Sequence, residues 1–97
     1  MIWYKSRVNN QLSNLSKAVA FEIVPVGSDF RDIMAIIPAG KELKKYSVET
    51  FFGNYAQARA EAFIRWLSTI ITDSENINFV YDDSCFLQFA RDEEVTE

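Results

Sequence analysis

Between Ala56 and Ile71 the large apolar side chains Phe63, Trp66, Leu67, Ile70 and Ile71 recur at three- and four-residue spacing, the repeat of one face of an α-helix. Ala56, Ala60 and Ala62 raise the helix propensity, and Glu61 and Arg65 stand four apart in the favourable order on the polar side. Asn54 offers an N-cap, with Gln57 three residues further on. A helix apolar along one stripe only must lay that stripe against another surface, and the rest of the chain has to supply it.

The segments on either side read as strands. Val19 to Val26 and Asp32 to Pro38 are rich in β-branched residues, and the turn-forming run Gly27 to Arg31 between them predicts an antiparallel hairpin. Proline donates no ladder hydrogen bond, so Pro25 and Pro38 belong at strand ends or on an edge. Ala39-Gly40 turns the chain again, and Tyr46, Val48, Thr50 and Phe52 alternate as one face of a third strand. After the helix, Ile77 to Tyr81 reads as a strand, Asp82-Asp83-Ser84 as a turn, Cys85 to Ala90 as the returning strand, and Arg91 to Glu97 as a frayed acidic tail. The first seventeen residues admit two readings, a helix through Met1, Tyr4, Val8, Leu12 and Leu15 or a strand from Ile2 to Val8, and the helix is favoured. The expected fold is one α+β domain over residues 1–97, with an antiparallel sheet of about four to five strands and one main amphipathic helix (about 55–72) on one face.

The inventory of side chains narrows the chemistry. Histidine is absent and Cys85 is the sole cysteine, which excludes an internal disulfide, Cys/His zinc sites, and Ser–His or Cys–His nucleophile pairs. Cys85, between Ser84 and Phe86, reads as a small core residue. Asp32 with Glu42-Leu43-Lys44 follows the Asp…Glu-x-Lys order of metal-dependent nucleases, a spacing that arises readily among fourteen acids and ten bases. Asp82-Asp83 lacks the alternating oxygen ligands and the glycine of a calcium loop. No cofactor, no metal and no catalytic residue is expected, so the chain reads as a non-enzyme. Its apolar runs are too short to span a bilayer, and no basic segment leading into an apolar core opens the sequence; a soluble, cytoplasmic protein without membrane contact is expected.

Charge is the remaining signal. Residues 73–97 hold eight acidic groups against Arg91 alone, a formal −7, while residues 1–72 are net +3. The one basic cluster, Lys41, Lys44 and Lys45 beside Tyr46, stands against a pI of about 4.8, so direct nucleic-acid binding is not expected. Carboxylates on a rigid hairpin can stand in for phosphates, and Asp73, Glu75, Asp82 and Asp83 are the expected contacts with a protein partner. In size and acidity the chain is similar to small phage and mobile-element proteins, anti-CRISPR inhibitors among them. That similarity is one of size and composition only; the acidic −7 segment is what leads to the expectation of a stoichiometric inhibitor or adaptor that occupies a basic nucleic-acid-binding surface of a larger nucleic-acid-handling complex. The alternative is a self-associating structural or regulatory subunit, a homodimer built on exposed apolar residues of an edge strand or of the amino-terminal segment.

Overall fold

The computed structural model describes residues 2–8, 10–72 and 79–95. In chain order these form β1 (Ile2–Lys5), β2 (Leu12–Asn14), a 3-10 turn (Leu15–Lys17), β3 (Ala20–Val26), β4 (Phe30–Ala39), β5 (Glu42–Phe52), α1 (Ala56–Thr72), β6 (Phe79–Asp82) and α2 (Asp83–Asp92). The fold is α+β, as expected, with the strands divided between two three-stranded sheets, β2-β1-β6 and β3-β4-β5. The second is an antiparallel meander; in the first, β1 pairs antiparallel with β2 and parallel with β6.

The meander and α1 follow the sequence closely. Gly40, at φ 66°, lets a two-residue link close β4 onto β5, a left-handed position that costs glycine nothing. The helix starts at Ala56, one residue later than an Asn54 cap requires. Gln57, instead of closing a capping box, accepts from Arg31 Nε at 2.7 Å and donates to Glu61 at 3.0 Å. The buried stripe of α1, with Ala60, Phe63, Trp66, Leu67 and Ile70, packs on Ile33, Ala35, Val48 and Phe51 of the meander. Tyr4, Phe51, Trp66 and Phe86 all place ring centroids within 5.1–5.6 Å of Phe63. Edge and tilted ring contacts of this kind add to the area they bury.

Three segments depart from the sequence reading. The amino-terminal segment is not a helix: Ile2 and Tyr4 alternate inward as strand β1, and Ser13 and Leu15 are buried beyond it. Cys85 to Ala90 is not a returning strand but part of α2, so the second expected hairpin is absent and Asp82-Asp83 marks a helix start. Phe86, Phe89 and Ala90 satisfy the helical spacing i, i+3, i+4 as well as they fit a short apolar strand, and the capping side chain decides between them. The expected tail is partly ordered, since Arg91 and Asp92 close α2 and Val95 packs against the core.

In β5 a bulge breaks the alternation. Ile33 pairs with Glu49 and Met34 with Ser47, leaving Val48 as the extra residue. Val48 and Glu49 therefore both face inward, Phe51 follows them into the core, and Thr50 and Phe52 turn outward.

Candidate protein-binding face

The meander buries one face under α1 and leaves the other without a covering element among the described residues. Register assigns to this outer face Ala20, Glu22, Val24 and Val26 of β3, then Phe30, Asp32, Met34, Ile36 and Pro38 of β4. Leu43, Lys45, Ser47, Thr50 and Phe52 of β5 complete it. Its two ends are apolar. At one, Phe30 and Phe52 pair with ring centroids 5.9 Å apart beside Val26; at the other stand Ile36, Pro38 and Leu43. Phe30, Phe52, Val26 and Leu43 keep 47%, 56%, 52% and 66% of their surface in solvent. Exposed apolar clusters bordered by polar residues mark an interaction surface more often than single exposed side chains do.

The polar groups on this face are already ordered. Asp32 accepts from Ser47 Oγ at 2.8 Å and from Thr50 Oγ1 at 2.7 Å, and Lys45 reaches over β4 to Glu22 at 2.7 Å. Ordered polar groups between two apolar ends give a flat surface that needs little rearrangement to dock. The outer face of the other sheet is less suited to docking, because Lys5 and Asp82 interrupt Trp3, Leu12 and Val80.

Of the four expected contact residues, Asp73 and Glu75 lie outside the described residues. Asp82 is the N-cap of α2, accepting from the backbone of Ser84 at 3.1 Å and of Cys85 at 3.3 Å, and from the Ser84 hydroxyl. The Ser84 hydroxyl and these amides hold its carboxyl below the usual carboxylate range. Asp83, in the first turn, faces Arg7 at 3.7 Å. The structure therefore brings Asp82 and Asp83 together at a helix start, each with partners in its own chain.

The nuclease-like residues are not brought together. Asp32 pairs with Thr50 and Glu42 with Ala39, seven residues further along β4, so the two carboxylates sit about 24 Å apart on opposite faces. Among the described residues no group of three or more carboxylate or thiol side chains is placed to hold a metal ion.

One buried polar network escaped the sequence reading. Glu49, 3% exposed, accepts from Tyr4 Oη on one oxygen and from Ser6 Oγ (2.8 Å) and the Thr50 amide (3.1 Å) on the other. It ties β1 of one sheet to β5 of the other. Burial, reinforced by the Glu49 carboxylate, raises the Tyr4 hydroxyl far above its ordinary range, so it stays a donor. A cavity of about 90 Å³ adjoins the network, bounded by Arg7, Arg59, Asp83 and Phe86 among others. The Arg59 guanidinium lies 5.2 Å from the centroid of the Phe51 ring. The signal that could have located Glu49 is the bulge, which the sequence does not announce.

Compared with models of protein families, with characterised proteins and with solved structures, the chain matches none. No helix among the described residues is long and apolar enough to cross a membrane.

Proposed function

We propose that this protein acts by binding another protein through the outer face of the β3-β4-β5 sheet, against a partner surface that is itself apolar and near neutral. The observation that carries this reading is the pairing of Phe30 and Phe52, about half exposed, on a rigid sheet face with apolar residues at both ends. Aromatic side chains on a preorganised scaffold are the usual anchors of protein interfaces, because they bury large area at little entropic cost.

A second reading keeps the acidic groups as the contact and the partner as a basic nucleic-acid-binding surface, which the protein would block as an inhibitor. In its favour, Asp82 is exposed and its carboxyl is held below the usual range. Against it, the acidic groups described flank the two ends of α2, Asp82 and Asp83 at one and Asp92, Glu93 and Glu94 at the other, about 15 Å apart over ten residues. Among the described residues they stand at two separate places on the chain.

The test is affinity capture of partners from cells that carry the protein, with the unmodified chain and a Phe30→Asp/Phe52→Asp variant. The reading expects a captured partner that the variant loses. Identical capture by both would remove the outer face as the contact.

A further inference from the structure

The cavity beside the Glu49 network carries more hydrogen-bond donors than acceptors. Arg7, just beyond β1, and Arg59, in the first turn of α1, both line it, and a guanidinium is rich in N–H donors and has no acceptor. Among the described residues the Arg59 side chain makes no hydrogen bond and no ion pair, and its Nε is shut away from solvent. The Phe51 ring, 5.2 Å away, attracts the charge but presents no lone pair to an N–H. Arg7 pairs with Asp83 at 3.7 Å, too long for a hydrogen bond. The nearby acceptor is already engaged, since the Tyr4 and Ser6 hydroxyls and the Thr50 amide all donate to Glu49. A buried, charged donor without an acceptor is costly, and folded proteins rarely leave one without a reason.

We propose that this cavity binds a small monocarboxylate, whose oxygens accept from Arg59 and Arg7 and whose short hydrocarbon end lies against Phe86 and Leu87. The planar fork of a guanidinium matches a carboxylate, and two such forks on one cavity supply donors for both of its oxygens. Size limits the ligand: about 90 Å³ suits an acid of a few carbons, against the roughly 300–1,000 Å³ of sites for drug-sized molecules. Charge limits it further. Arg7 and Arg59 stand against Glu49 and Asp83 on the same cavity, a formal sum of zero, so a dianion such as phosphate meets two like charges with no surplus of positive charge to offset them. Directed hydrogen bonds rather than a net field hold the ligand, and its affinity is accordingly modest, in the millimolar range.

Nuclear magnetic resonance of the isotope-labelled full chain, titrated with sodium propionate at constant ionic strength, tests the proposal. Propionate shifts the Arg59 Nε–H and the Leu87 amide along one saturable curve. Arg31, whose Nε already donates to Gln57 at 2.7 Å, does not follow them. Arg59→Gln and Arg7→Gln each raise the dissociation constant, read at the Leu87 amide, at least about tenfold. The Arg7 side chain is 61% exposed, so Arg7→Gln leaves the circular dichroism spectrum unchanged and carries the test even where Arg59→Gln disturbs the packing on Phe51. Shifts that grow linearly and equally at Arg31 and Arg59 overturn the proposal, because they report screening alone. Saturation that Arg7→Gln leaves unaltered overturns it as well, and so does inorganic phosphate binding more tightly than propionate.

Discussion

Replacing Tyr4 by phenylalanine removes one hydroxyl from the centre of the molecule, and the surroundings of Glu49 set the cost. Tyr4 is fully buried and Glu49 3% exposed. The Tyr4 hydroxyl is the donor to Oε2, while Oε1 keeps both Ser6 Oγ and the Thr50 amide. A hydrogen bond to a charged group contributes about 1.5–3 kcal/mol, against about 0.5–1.5 for a neutral pair. Loss of the one donor to Oε2 in a site only 3% exposed puts the cost of Tyr4→Phe at about 2 kcal/mol. Ser6→Ala should cost less, about 1 kcal/mol, because its oxygen retains the amide donor. Tyr4→Phe combined with Glu49→Leu should be milder than the two single changes summed, since no buried carboxylate is left without its donor. Urea unfolding at neutral pH reads all four as midpoint shifts at constant slope. A Tyr4→Phe cost under about 0.5 kcal/mol, or Ser6→Ala exceeding it, would refute the argument that this carboxylate depends on Tyr4.

Other expectations follow from the same geometry. Phe63→Ala, at the meeting point of four aromatic rings, should cost about 3–5 kcal/mol in the same assay. Asp82→Ala should lose about 1 kcal/mol with its cap. Because the folded carboxyl is held low, that contribution is present above the unfolded value near pH 4 and fades as pH falls through the folded one, so an acid titration of the unfolding midpoint should separate variant from parent only above that window. The Tyr4 hydroxyl is raised in the folded state, so its contribution is complete below about pH 10 and lost above it, with a slope of up to about 1.4 kcal/mol per pH unit that Tyr4→Phe abolishes. Deleting Val48 should leave a folded protein that has lost one buried valine, about 1.5–3 kcal/mol, because pairing on both sides of the bulge keeps its faces. Deleting Thr50 reverses Phe51 and Phe52, and cooperative unfolding should disappear.

What the sequence made legible depended on whether a residue pattern had one interpretation. The stripe Phe63, Trp66, Leu67, Ile70 extends over enough turns to fit only a helix, and the β3–β4 hairpin is framed by turn residues at Gly27 and Gly40. Phe86 to Ala90 is too short for periodicity to choose, and the deciding contact, Asp82 with the amides of Ser84 and Cys85, is a cap that the same aspartate would also satisfy as a turn residue. At Val48 alternation failed because a bulge adds one residue to one strand, which moved Glu49 into the core and Phe52 onto the surface. The outer face of the meander was invisible for the same reason: Phe52 joins Phe30 and Met34 only once the register is known. The acidic groups were easy to count, but which of them are occupied within the chain depends on Ser84 and Arg7, and no spacing rule reports that.

The most direct test of the account compares three proteins in one capture experiment at low and high salt: the unmodified chain, Phe30→Asp/Phe52→Asp and Asp82→Lys/Asp83→Lys. Contact through the outer face predicts that the first variant loses the partner while the second retains it, with capture little affected by salt. Loss by the aspartate-to-lysine variant, retention by the other, and release of the partner as salt rises would contradict it and return the contact to the acidic end of α2.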